Sequence, residues 1–296
     1  STNAITSQLL ICYQNTKEGE NLNQNWIVEN LNNAFSTWNG KLGELWGLVT
    51  TGPQTFKGGA VWSVMQTLHN GMVGIGYALV VLFFAISLCK NTMNFHELKR
   101  PEAAIHYFLR FVAAKALVGY GMDIMLNVFS ICNGIVTDMA DSMGGISEAM
   151  VSLPAEMQTA IENVGFLASI PLWLVTILGS LFITVLSFVM ILTVYGRFFR
   201  LYMYTALAPL PLAAFAGEST QSVGISFLKS YVGVCLEGAV IVLACVIYSA
   251  FVSTPTVASG EATTVWSYLA ETVFNMLVLV GLIKGSDRII HEMMGL

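Results

Sequence analysis

Residues 164–195 read VGFLASIPLWLVTILGSLFITVLSFVMILTVY, without one Lys, Arg, Asp or Glu. A helix needs about 20 apolar residues to cross a ~30 Å hydrocarbon core. This run is long enough, and its one proline, Pro171, sits early, where a helix tolerates it. Leu68–Cys89 is equally free of charge. Tyr231–Val252 and Val265–Ile283 each carry a single carboxylate, Glu237 and Glu271. Ala103–Val136 is also apolar but holds Arg110, Lys115 and Asp123. At about 1.5 Å per residue it exceeds one membrane thickness, so part of it emerges.

Composition agrees with the runs. Of 296 residues, 55 % are apolar and 10 % charged, against about 25 % charged in a soluble domain. The net charge of −5 excludes a general basic surface for nucleic acid. The reading is an all-α integral membrane protein with about five transmembrane helices.

Ahead of the first span lies a different pattern. Residues 1–25 are polar and read as irregular. From Trp26 to Val49, Ile27, Leu31, Phe35, Trp38, Leu42, Leu45 and Val49 recur every three or four positions, which predicts an amphipathic helix ending at Gly52-Pro53. Its apolar face serves either to pack on the bundle or to bind a partner. The chain divides accordingly into an N-terminal region, 1–57, and a transmembrane domain, 58–296.

Orientation follows from Lys and Arg. Lys90, Lys99 and Arg100 put the first loop in the cytoplasm. The loop 137–163 carries Asp138, Asp141, Glu148, Glu156 and Glu162 but no Lys or Arg, and lies outside. Arg197 and Arg200 mark the cytoplasmic side again, as do Lys229, Lys284 and Arg288. The apolar segment 198–216 then starts and ends on one side. Pro209 and Pro211 break it, so it reads as re-entrant or interfacial. The N-terminus lies outside and the C-terminus inside. A removed signal peptide and removal of an initiator Met both account for a first residue of Ser.

Charges inside spans are costly and mark partners, water paths or interfaces. Arg110, Lys115, Asp123, Glu237 and Glu271 form such a candidate polar path or subunit interface. Depth counting pairs Arg110 with Glu237 and Lys115 with Glu271. Cys12 and Cys132 both fall on the outer side, where a disulfide between them is open to an oxidising compartment. No Cys-x-x-Cys occurs. Gly119-Tyr120-Gly121-Met122-Asp123 is one residue too long for the Gly-x-Gly-Asp of intramembrane aspartyl proteases, and His291-Glu292 and His96-Glu97 lack the second His of a zinc helix. The expectation is no catalytic residue, no cofactor, no metal and no enzymatic activity.

One stretch, 197–241, carries a resemblance. It runs Arg197-Phe-Phe-Arg200, Tyr202-Met-Tyr204, Ala208-Pro209-Leu-Pro211, then Gly217-Glu-Ser-Thr-Gln, Phe227-Leu-Lys229-Ser-Tyr231 and Glu237-Gly238. This resembles the TrbL-like polytopic inner-membrane proteins of type IV secretion and conjugal transfer systems, and the hydropathy layout of 68–296 is similar. The resemblance implies a membrane-embedded channel or scaffold component that helps pass a DNA–protein substrate or seat a pilus. It implies a homo-oligomeric ring among other secretion subunits, ATPases included, within membrane lipid. Arg197, Arg200, Pro209 and Pro211 would shape the cytoplasmic mouth. Two other classes fit the residues: a solute or ion transporter using the intramembrane charges, and a structural or assembly protein without a pore.

Overall fold

The structure is a computed structural model that describes residues 2–92, 101–142, 150–162, 166–252 and 262–295. Among them every regular element is helical: α1 (Thr2–Thr50), a 3-10 turn (Phe56–Gly59), α2 (Ala60–Thr92), α3 (Pro101–Gly119), α4 (Gly121–Ser142), α5 (Ala155–Glu162), α6 (Phe166–Leu207), α7 (Pro209–Ala213), a second 3-10 turn (Ala214–Ala216), α8 (Gln221–Val252) and α9 (Ala262–Met294). Four helices are long and apolar enough to cross a membrane. The bent pair α3–α4 makes a fifth if it counts as one span. The chain is thus an all-α membrane protein of four to five spans.

The helix of the N-terminal region begins at Thr2 instead of Trp26. With no proline before Pro53, nothing in residues 1–25 forbids helix, and the apolar stripe beyond them nucleates it. Every stripe residue from Ile27 to Val49 is 0–2 % exposed.

Two compact units form, and four of the helices contribute to both. The first comprises residues 1–46, 145–192 and 244–283. In it α1 runs alongside α6 in the same direction. Trp26 meets Trp173 at 5.7 Å, Asn30 donates to Ser180 Oγ at 3.2 Å, and Lys41 lies over the Phe188 ring. Asn39 clamps the extended chain at Val151, donating to its carbonyl at 2.8 Å and accepting from its N–H at 2.9 Å. The stripe of α1 is therefore consumed by packing.

The second unit comprises residues 47–144, 193–243 and 284–296. Its core gathers Val80, Val118, Met125, Phe129, Leu201, Leu212 and Val234. α3 and α4 meet at 72° across Tyr120, yet backbone bonding continues through the bend. The two flanking glycines permit it. A Cβ on Gly119 would lie 2.8 Å from Tyr77 Oη, and one on Gly121 3.2 Å from Leu212 Cδ1. The Gly-x-Gly pattern thus serves close packing.

Residues 198–217 follow α2 in the same direction. Phe198 stacks on Phe56 at 4.1 Å, and Tyr202 donates to the Pro53 carbonyl at 2.9 Å. Further along, Pro209 abuts Gly76, and Gly217 lies against the Phe83 carbonyl. The break at Ala208 is enclosed by protein: Ala208, Leu212 and Ala213 are fully buried. Pro209 has no N–H to give to the Thr205 carbonyl four residues back. Buried His69 on α2 fills the gap, its Nδ1 lying 2.7 Å from Thr205 O and donating to it.

Candidate functional site: a buried arginine–glutamate network

The Glu237-Gly238 step of α8 organises the most charged interior of the second unit. Glu237 is 1 % exposed. Arg200, two helical turns before the end of α6, donates Nη2 to both Glu237 oxygens at 2.7 Å. Ser286 on α9 donates to Glu237 Oε1 at 3.1 Å. Arg200 also pairs through Nη1 with Asp287, and His291 stands 3.6 Å from the same carboxylate. Three helices, α6, α8 and α9, therefore meet on one carboxylate.

Arg197 lies one turn earlier and is 1 % exposed. It finds backbone rather than carboxylate: Nε donates to Val234 O at 3.2 Å, Nη2 to Cys235 O at 3.1 Å and Nη1 to Val49 O at 3.5 Å. A Cβ on Gly238 would sit 2.7–2.8 Å from this guanidinium. Glycine is thus required so that Arg197 can reach the α8 carbonyls. Arg197, Arg200, Glu237 and Asp287 together sum to zero charge, the condition under which buried ions are tolerated.

This geometry corrects two expectations. Arg110 pairs with Gln221, donating Nη2 to Oε1 at 2.8 Å, and Glu237 pairs with Arg200. The depth count started α8 at Tyr231, whereas the helix starts at Gln221. Glu237 therefore stands 16 residues, about 24 Å, beyond the Arg110 contact. Arg197 also shapes no open mouth, because its whole side chain is enclosed. Pro209 is buried and Pro211 partly so.

The other candidates do not join the network. Lys115 is exposed on α3 and makes no ion pair among the described residues. Glu271 is exposed on α9 and belongs to the first unit, whereas Lys115 belongs to the second. Asp123 is exposed at the start of α4, whose buried face is Met125, Phe129, Cys132, Val136 and Ala140. With Asn127, Ser130, Asn133 and Gln54 it lines a polar cleft of about 520 Å³. Cys132 is a free thiol, buried in the same core as Cys235; the Cys12 side chain lies outside the described residues. Asp287, Ser286 and His69 were not anticipated. Only Asp287 had a signal, as a carboxylate flanked by Lys284 and Arg288 at the end of an apolar run.

Residues 38–209 match the model of a family described as TrbL/VirB6 plasmid conjugal transfer like protein. No curated protein and no solved structure matches the chain.

Proposed function

Because the chain belongs to the TrbL/VirB6 plasmid conjugal transfer-like family, we propose that it is a membrane-embedded channel or scaffold subunit of a type IV secretion machine. Family membership makes it one part of a multi-subunit conjugal transfer system, and its apolar helices make it multi-pass in the inner membrane. The finer role rests on one observation. Lys115 and Asp123 flank the α3–α4 bend, and both are exposed on helices that compose a span. A charge facing lipid is costly, so such residues face water or a neighbouring subunit. A ring of copies around a wet path covers both. The chain does no chemistry of its own, partner ATPases supply energy, and a DNA–protein substrate passes or a pilus is seated.

An orientation belongs to the same proposal. Arg197 and Arg200 are consumed by the network and drop out of the charge count. Lys90, Lys99, Arg100 and Lys229 remain as the cytoplasmic markers. Residues 198–217 then continue the pass of α6 alongside α2 toward its cytoplasmic end, in place of the re-entrant or interfacial segment expected from the charge count. The N-terminus lies outside and the C-terminus inside.

The test is a C-terminally tagged chain, gently solubilised, with co-purifying proteins identified by mass spectrometry. Recovery of secretion ATPases and other transfer subunits, with the chain in a large assembly, supports the proposal. A lone monomer or dimer, repeated after cross-linking, contradicts it.

A further inference from the structure

Cys132 and Cys235 come from helices far apart in sequence and share one core. Cys132 is 6 % exposed on α4, Cys235 is fully buried on α8, and both carry free thiols. The two thiols are near neighbours in that core. The two helices are already pinned beside the pair: Tyr231, one turn before Cys235, donates its hydroxyl to the Met125 carbonyl at 2.8 Å. On the far side of Cys235, its own carbonyl is held by Arg197. The thiols are thus positioned by contacts that do not depend on them. Phe129 and Asn133, on either side of Cys132 along α4, line the open polar cleft.

We propose that Cys132 and Cys235 form a redox modification site, closing to a disulfide that staples α4 to α8 over the Arg197–Glu237 network. The step is thiol–disulfide exchange with an external disulfide as oxidant. The Cys132 thiolate attacks that disulfide, forming a mixed disulfide and expelling one thiol. The Cys235 thiolate then attacks the Cys132 sulfur and expels the second. The protein loses two protons and two electrons, and the oxidant takes both as two thiols. Closure joins residues 132 and 235 covalently, so α4 can no longer part from α8. Reduction frees it again.

The test uses the full-length chain in native membranes, treated with 4,4′-dipyridyl disulfide. Remaining thiols are blocked, and the unreduced digest is read by mass spectrometry. The expected product is a peptide pair bridged between Cys132 and Cys235, lighter than the two free peptides by two hydrogens. The same treatment raises the thermal midpoint of the solubilised protein, and dithiothreitol reverses the rise. C132S and C235S each abolish the bridge and the rise. A Cys132 bonded instead to Cys12, a pyridyl adduct that persists on either residue, or two thiols that stay reduced in the folded chain would each overturn the assignment. None of these readouts depends on conjugation, so the result stands apart from the proposed function.

Discussion

Replacing Arg200 by alanine leaves Glu237, 1 % exposed, without its ion-pair partner, held by the Ser286 hydroxyl and the more distant charge of Arg197. At 2.7 Å and an effective dielectric of about 20, the direct attraction is roughly 6 kcal/mol, gross. Desolvation of both ions offsets much of it, and truncating one member of a buried pair costs about 3–5 kcal/mol in practice. Arg200 is 29 % exposed, which places R200A near the lower end, about 3 kcal/mol. For a chain of this size each kcal/mol lowers the midpoint by about 2–4 °C, giving a fall of roughly 6–12 °C. The cost arises from a carboxylate that has lost its direct partner, so neutralising that carboxylate should remove part of it. R200A/E237Q is expected to recover about half of the loss. The assay is thermal unfolding of the solubilised protein for wild type, R200A, E237Q and the double variant. R200A within about 1 kcal/mol of wild type, or a double variant no better than R200A, would refute the reasoning.

H69A removes the donor that satisfies the Thr205 carbonyl orphaned by Pro209; a loss of about 1–3 kcal/mol in the same melts is expected. G119A places a methyl 2.8 Å from Tyr77 Oη and should cost about 1–3 kcal/mol, most of it returned by Y77F, which removes the oxygen. W38A empties a fully buried site on α1 and should cost about 3–5 kcal/mol, read as early protease cleavage of the chain. K115E should reduce conjugation while leaving the midpoint within about 0.5 kcal/mol of wild type, because Lys115 is exposed and makes no ion pair among the described residues. A large stability loss there would show that Lys115 is structural.

The local periodicities were legible. The three-to-four-residue stripe of α1 named its buried face residue by residue, since helical spacing alone decides which side chains share a side. The charge-free runs announced the spans, and Pro209 and Pro211 announced the break, for reasons that need no tertiary knowledge. Partner choice was not legible. Depth along an axis gives one coordinate of a side chain, whereas pairing needs to know which helix lies beside which. Arg110 therefore met Gln221, and Glu237 met Arg200. The glycine of Glu237-Gly238 was visible in the resemblance, but its reason, room for Arg197, exists only when α6 lies on α8. Likewise His69 looked like one more residue in an apolar run until Pro209 was seen to leave a carbonyl bare beside it.

The central claim, that this chain is a working part of a conjugal transfer machine, is tested most directly by mating. Donor cells lacking the chain, and the same cells complemented in trans with wild type, are scored for plasmid transfer to a marked recipient. The account predicts that transfer falls to background without the chain, returns with wild type, and fails to return with R200A expressed at a temperature above its lowered midpoint. Undiminished transfer from donors that lack the chain would contradict it.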